Sequence, residues 1–228
     1  MIRINDLHFS YPGSCHRVFD GLNLSLESDS IYGLLGKNGE GKSTLLYLLS
    51  GLLRAPRGEV KFLGMDMKER RAEALQEIFI VPEEYDLPRM TMKQFIELNR
   101  RFYPRFSEEV LRGCLRDFEM PEVVDLKSLS MGQKKKVYMS FALAANTRLL
   151  LMDEPTNGLD IPSKSLFRKA VANSMCGTAS SSSPPTRCTM WRRCSTTFSF
   201  STRGISSLTV PRLPSRRNTV SSAASLPR

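Results

Sequence analysis

Gly36-Lys37-Asn38-Gly39-Glu40-Gly41-Lys42-Ser43 is the stretch on which the reading of this chain turns. It has the form G-x-x-x-x-G-K-[ST], the phosphate-loop pattern, in which glycines let the backbone curl until successive N–H groups face one anion. Ile31-Tyr32-Gly33-Leu34-Leu35 before it is short and apolar, as a buried strand should be. Thr44-Leu45-Leu46-Tyr47-Leu48-Leu49 after it opens a helix. A helix N-terminus at that place adds the positive end of its dipole to the anion site. In such a loop Lys42 reaches the terminal phosphates of a nucleotide, and Ser43 offers its hydroxyl to Mg²⁺. The expected ligand contacts are therefore Gly36, Lys37, Asn38, Gly39, Glu40, Gly41, Lys42, Ser43 and Thr44.

Upstream of the loop the chain reads as strands. Ile2 to Phe9 alternates, Tyr11 precedes the turn Pro12-Gly13, and Leu22 to Leu26 alternates again. Downstream, Gly51 ends the loop helix, Glu59 to Phe62 is a short strand, and Met67 to Gln76 is charged and helical. Ile78-Phe79-Ile80-Val81 is a buried strand stopped by Pro82. From Thr91 to Ala145 helices take over. Thr91 caps one to about Phe102; Ser107, followed by Glu108 and Glu109, caps a second; Ser130 opens a third. Leu149-Leu150-Leu151-Met152-Asp153-Glu154 is an apolar strand ending in two carboxylates, and Ile161 to about Met175 is a helix. This order predicts an α/β fold: a P-loop core, an N-terminal antiparallel β part and a helical subdomain over about residues 85–145.

The 228 residues hold no apolar run long enough to span a bilayer, and Met1 to Asp6 has no signal-peptide core, so a cytoplasmic location is expected. The five cysteines show no metal-binding spacing and read as incidental thiols. The net charge of +10 is unevenly placed: residues 1–173 carry 25 basic and 23 acidic side chains, whereas residues 174–228 carry eight Arg and no acid. Lys134-Lys135-Lys136 reads as a solvated helix face.

The motifs together resemble the ATP-binding cassette (ABC) ATPases, the nucleotide-binding subunits of ABC transporters, over residues 1 to about 175. Leu129-Ser130-Met131-Gly132-Gln133 is similar to the signature LSGGQ, with Met131 replacing its first Gly. Leu149 to Glu154 resembles the Walker B strand, and Pro155 to Asp160 the D-loop. The resemblance implies Mg²⁺ near Ser43, Asp153 and Glu83, and Glu154 as the group that orients or deprotonates the attacking water. It further implies γ-phosphate contacts from Ser130 and Gly132 across a head-to-tail homodimer or pseudo-dimer holding two ATP molecules, with Gln133 and Asp160 also among the nucleotide-binding residues. Tyr11 is placed like the aromatic that stacks on adenine, although an aromatic beside Pro-Gly also serves simple packing. A separate integral membrane subunit is implied, with this chain peripheral on the cytoplasmic face; no nucleic acid is expected.

Two departures stand out. Glu83 occupies the place of the family's usual Gln, which adds negative charge near the phosphates. The family's His beyond Walker B is missing, because the only two histidines, His8 and His16, precede the loop. The stretch after Met175 breaks in composition: 14 of the last 55 residues are Ser. It is expected to be a disordered tail, residues 176–228, with the C-terminal part of the sheet missing or disordered. A one-base frame slip near Met175–Gly177 accounts for it. Ser codons of type TCN, read one base earlier, become NTC codons for Val, Ile, Leu or Phe, so Ser180–Ser183 turns into a buried strand. Thr186 then becomes a position that can encode His. In that reading the intact form hydrolyses ATP, whereas the chain as it stands is impaired or only binds it.

Overall fold

The computed structural model describes residues 1–28, 30–34, 36, 38–121, 125–176, 188–192 and 212–213. Its strands in chain order are β1 (Ile2–Ser10), β2 (Arg17–Leu26), β3 (Ser30–Leu34), β4 (Arg57–Phe62), β5 (Met65–Asp66), β6 (Ile78–Val81), β7 (Leu149–Met152), β8 (Cys188–Arg192) and β9 (Arg212–Leu213). The helices are α1 (Lys42–Leu49), α2 (Ala72–Leu75), α3 (Met92–Asn99), α4 (Glu108–Asp117), α5 (Met131–Ala144) and α6 (Ile161–Cys176).

Two sheets result. The N-terminal one is antiparallel, in the order β2-β1-β4-β5. The alternation read in Ile2 to Phe9 is broken by a register shift between Ile4 and Leu7, where Asp6 sits at φ +45°, so Ile2 and Ile4 and then Leu7 and Phe9 enter its core. The second has the order β6-β7-β8-β3-β9, with β6, β7, β8 and β3 parallel and only β9 antiparallel. Unbroken apolar runs in β6 and β7 follow from burial on both faces. Leu149 and Leu151 pack with α1 and the antiparallel sheet, while Leu150 and Met152 pack with the helices of the other layer. The α/β architecture expected from the element order is thus the one observed.

Helix starts follow their caps. Thr91 and Gln94 form a reciprocal capping box at α3, Ser107 accepts the Val110 N–H at 3.3 Å, and Ser130 and Gln133 form a second box at α5. The helix expected over Met67 to Gln76 is instead two short pieces. Asp66 accepts the Lys68 N–H at 2.9 Å and starts a 3₁₀ turn, and Arg70 at φ +50° ends it before α2. A side chain bonding its own backbone offers a turn in place of a continuous helix.

Two segments of the stretch expected to be a tail are strands, β8 and β9, and β8 lies between β7 and β3. The Ser180–Ser183 run and Thr186, where the frame-slip reading places a strand and a His, lie outside the described residues.

Candidate functional site

Parallel strands send their C-terminal loops to one edge of a sheet, where α/β folds bind ligands. Here that edge collects the loop after β3, Glu83 after β6, and Asp153 and Glu154 after β7. The loop ends at Gly41, which sits at φ +82° as the N-cap of α1. A Cβ there would run into the Val18 side chain and approach Phe19 to 3.1 Å, so only Gly fits. Lys42 is 7% exposed, and its Nζ donates to the Gly36 carbonyl at 2.5 Å, folding the ammonium back over the loop. Asn38, Gly39 and Glu40 make the turn between them; Lys37 lies outside the described residues.

Beside the loop is a cleft of about 260 Å³, lined by Tyr11, Val18, Gly39, Lys42, Ser43 and Thr44, with His16 also on its wall. Tyr11 is 42% exposed; its hydroxyl lies 2.9 Å from Thr44 Oγ1, and its ring meets Phe9 edge-on at 5.1 Å. Val18 and His16 were not singled out in the sequence. Their role in the cleft arises because the start of β2 runs opposite the loop, which no local pattern reveals.

Asp153, 1% exposed, closes β7 by donating its N–H to the Val81 carbonyl at 2.8 Å. Glu154 follows at φ +43°, an uncommon conformation for a residue other than Gly. Asn157 Nδ2 donates to Glu154 Oε2 at 2.8 Å and to Glu83 Oε1 at 3.3 Å, so one amide joins the two carboxyl groups. Glu83 itself is exposed.

Ser130 caps α5, accepting the Gln133 N–H at 3.3 Å, while Gln133 Oε1 accepts the Ser130 N–H at 3.0 Å. The Ser130 hydroxyl proton is not used in that box. A Cβ on Gly132 would lie 3.5 Å from the Gly158 carbonyl, so the start of α5 stands beside the turn after β7. Met131 is 71% exposed, which explains how a side chain is accommodated where a Gly was expected. Among the described residues, those lining the cleft include none of Ser130, Gly132 and Gln133. Asp160 accepts the Ser163 N–H at 3.3 Å at the head of α6; hydrogen bonding from the Ser163 side chain, and then from this N–H, holds its carboxyl below the usual range, and Lys136 lies 3.9 Å away.

The solvated face expected at Lys134-Lys135-Lys136 is corrected: Lys134 and Lys136 are partly buried, paired with Asp86 and Asp160, and Lys135 between them is buried. Lys135 is 7% exposed and donates to the carbonyls of Glu154 at 3.0 Å and Asn157 at 2.9 Å. Burial pushes its ammonium below the ordinary Lys value, opposed by the nearby charges of Glu83, Glu154 and Asp153. The i, i+3, i+4 pattern that puts Lys135 in line with Met139 was the available signal, but three consecutive lysines mask it.

Among the described residues no group of three or more His, Cys, Asp or Glu side chains is arranged to hold a metal ion, and no helix is long and apolar enough to cross a membrane. A hydroxyl and one carboxylate, with phosphate oxygens from a nucleotide, are hard oxygen donors of the type Mg²⁺ takes. Ser43 in the first turn of α1 and Asp153 at the end of β7 supply that pair on one sheet edge, so the residues present fit the ion.

Comparison with known proteins adds independent findings. The ATP-binding protein YtrB of Bacillus subtilis is 34% identical over 163 residues, covering 70% of this chain and 54% of YtrB. The methionine import ATP-binding protein MetN of Carboxydothermus hydrogenoformans is 32% identical over 173 residues, covering 70% of this chain and 51% of MetN. The chain thus spans about half the length of these relatives. Among solved structures, an ATP-binding subunit of an ABC transporter aligns with a TM-score of 0.72 at 20% identity, covering 85% of this chain and 80% of that one. An ABC transporter ATP-binding protein from Pyrococcus furiosus aligns at 0.67 with 20% identity, covering 90% and 95%; these two establish the fold. The sequence profile described as ABC transporter matches residues 19–157, and with the loop, signature and carboxylate-tipped strand in that span, the chain belongs to the ABC transporter family.

Proposed function

We propose that residues 1–175, with β8 and β9 added to their central sheet, form a nucleotide-binding domain that takes up Mg²⁺-ATP and hydrolyses it to drive transport through a separate membrane subunit. The observation that carries this reading is the single sheet edge bearing the Lys42 loop, Asp153 and Glu154 together. The backbone N–H groups of Gly39 to Lys42 and the Lys42 ammonium bind the β- and γ-phosphates, and Tyr11 packs on adenine. Ser43 and Asp153, with Glu83 nearby, would hold Mg²⁺, which when bound neutralises developing charge on the phosphates. Glu154 accepts a proton from a water whose oxygen attacks the γ-phosphorus as the bond to the β-bridging oxygen breaks. Ser130, Gly132, Gln133 and Asp160 act on the nucleotide held by a second copy, giving a dimer with two ATP molecules between the subunits. The assembly sits on the cytoplasmic face of a membrane, and nucleic acid has no part in it.

Steady-state turnover of Mg²⁺-ATP tests the reading. Glu154→Gln should lower kcat by about a hundredfold or more while ATP still binds. It should also accumulate a dimer by analytical ultracentrifugation only when Mg²⁺-ATP is present. Turnover unaffected by the substitution overturns the role of Glu154.

A second reading is favoured by one observation: the family's His after Walker B has no counterpart, both histidines lying before the loop. In that reading the chain binds ATP and regulates without hydrolysing it. Saturable ATP binding with no phosphate release from the unsubstituted protein would favour this reading over the first.

A further inference from the structure

The Glu154 carboxylate stands on a backbone that no ordinary residue adopts freely, at φ +43°. Such a conformation costs on the order of 1–3 kcal/mol and persists only where the surroundings fix it. One side chain and one backbone bond do so here. Lys135 reaches from α5 and donates to both ends of the turn, the carbonyls of Glu154 at 3.0 Å and Asn157 at 2.9 Å. The Asn157 N–H closes the same turn onto the Glu154 carbonyl at 3.0 Å. From the clamped turn the Asn157 amide, with two protons to give, reaches Glu154 Oε2 at 2.8 Å and Glu83 Oε1 at 3.3 Å.

We propose that Lys135 and Asn157 are positioning residues for Glu154: the ammonium locks the turn to the signature helix, and the Asn157 amide sets the direction in which the carboxylate points. This rests on the reading of Glu154 as the base for water. It goes further in making the placement of α5 a determinant of that carboxylate's aim. A rotation of α5 would carry Lys135 with it, release the two carbonyls and turn the Asn157 fork away from Glu154 and Glu83. Among the described residues that line the expected nucleotide cleft Lys135 is not one, so it acts on the reaction through the turn and through its charge beside Glu83, Glu154 and Asp153, and Lys135→Arg, which keeps the charge, separates the two.

The test uses the full chain and three variants, Lys135→Met, Lys135→Arg and Asn157→Ala, with backbone hydrogen exchange, binding of a fluorescent ATP analogue and Mg²⁺-ATP turnover. In Lys135→Met the amides of Asn157 and Leu159 should exchange at least about tenfold faster, because charge-assisted hydrogen bonds are lost, while the Ala145 amide at the end of α5 is unchanged. Lys135→Arg retains donors and should restore part of that protection. Asn157→Ala should leave exchange of the turn within about twofold. Both Lys135→Met and Asn157→Ala should lower kcat about tenfold with KM and analogue affinity within about threefold, the mark of lost aim rather than lost binding.

Unchanged exchange in Lys135→Met overturns the clamp. A parallel fall of affinity and kcat in Asn157→Ala, with its melting temperature intact, overturns the positioning role. An unsubstituted chain that binds the analogue but releases no phosphate overturns hydrolysis by Glu154; the exchange comparison then decides the clamp alone.

Discussion

At the scale of single residues, burial separates side chains of the same chemistry. Cys114 is buried in α4, and burial pushes its thiol up to about 11, whereas Cys15 is exposed. A thiol kept neutral by the fold stabilises the native state below the unfolded Cys value. That contribution is lost as pH rises from there through the raised native value, because only the unfolded chain ionises first. At pH 8 a thiol-directed alkylating reagent should therefore modify Cys15 rapidly. Cys114 should react at least about a hundredfold more slowly, unless denaturant is added. Site-resolved mass spectrometry reads both rates, and equal labelling of the two would show that α4 is open. Lysine shows the same division. Lys134 and Lys136 keep exposed surface beside Asp86 and Asp160, while Lys135 between them is sealed beneath the turn after β7.

At the scale of elements, Phe141 of α5 is the centre of the helical layer. It is fully buried, with ring contacts to Phe95 at 5.3 Å, Phe106 at 5.1 Å, Phe79 at 5.8 Å and Tyr103 at 6.0 Å. Phe141→Ala should cost about 3–5 kcal/mol, and a melt followed by near-ultraviolet circular dichroism would measure it. A loss below about 1 kcal/mol would mean the neighbouring rings close the gap. Much of this layer was legible beforehand, because its helices announce themselves through Thr91 with Gln94, Ser107, and Ser130 with Gln133, each next to an apolar pattern. The β6 and β7 runs were equally plain, since strands buried on both faces need no alternation. What escaped was set in one place by a local bond and elsewhere by partners distant in sequence. Arg70 breaks the helix expected after Met67 because Asp66 bonds locally to Lys68. Lys135 escaped because its acceptors are carbonyls 19 and 22 residues away. At the candidate site the loop, Asp153 and Glu154 could be read from the motifs, while the Asn157 bridge to Glu83 spans 74 residues and could not.

At the scale of the whole molecule, the central sheet is completed from the far side of the composition break. β8 pairs in parallel with both β7 and β3, so a chain ending at residue 176 would leave two interior strands facing a gap. Such a truncation should melt at a markedly lower temperature than the full chain or accumulate in the insoluble fraction; an equal melting temperature would show that β8 contributes nothing to the fold. The same arrangement bears on synthesis. β3 leaves the ribosome early, yet its partner Cys188 is 158 residues behind Ser30 in the chain. Until that segment emerges, β3 and β7 each present an unpaired edge, and closing so long a loop makes pairing slow. The nascent chain therefore passes through a long interval in which its centre is sticky, and its yield in the cell should depend on chaperone supply and translation speed more than the stability of the finished sheet suggests.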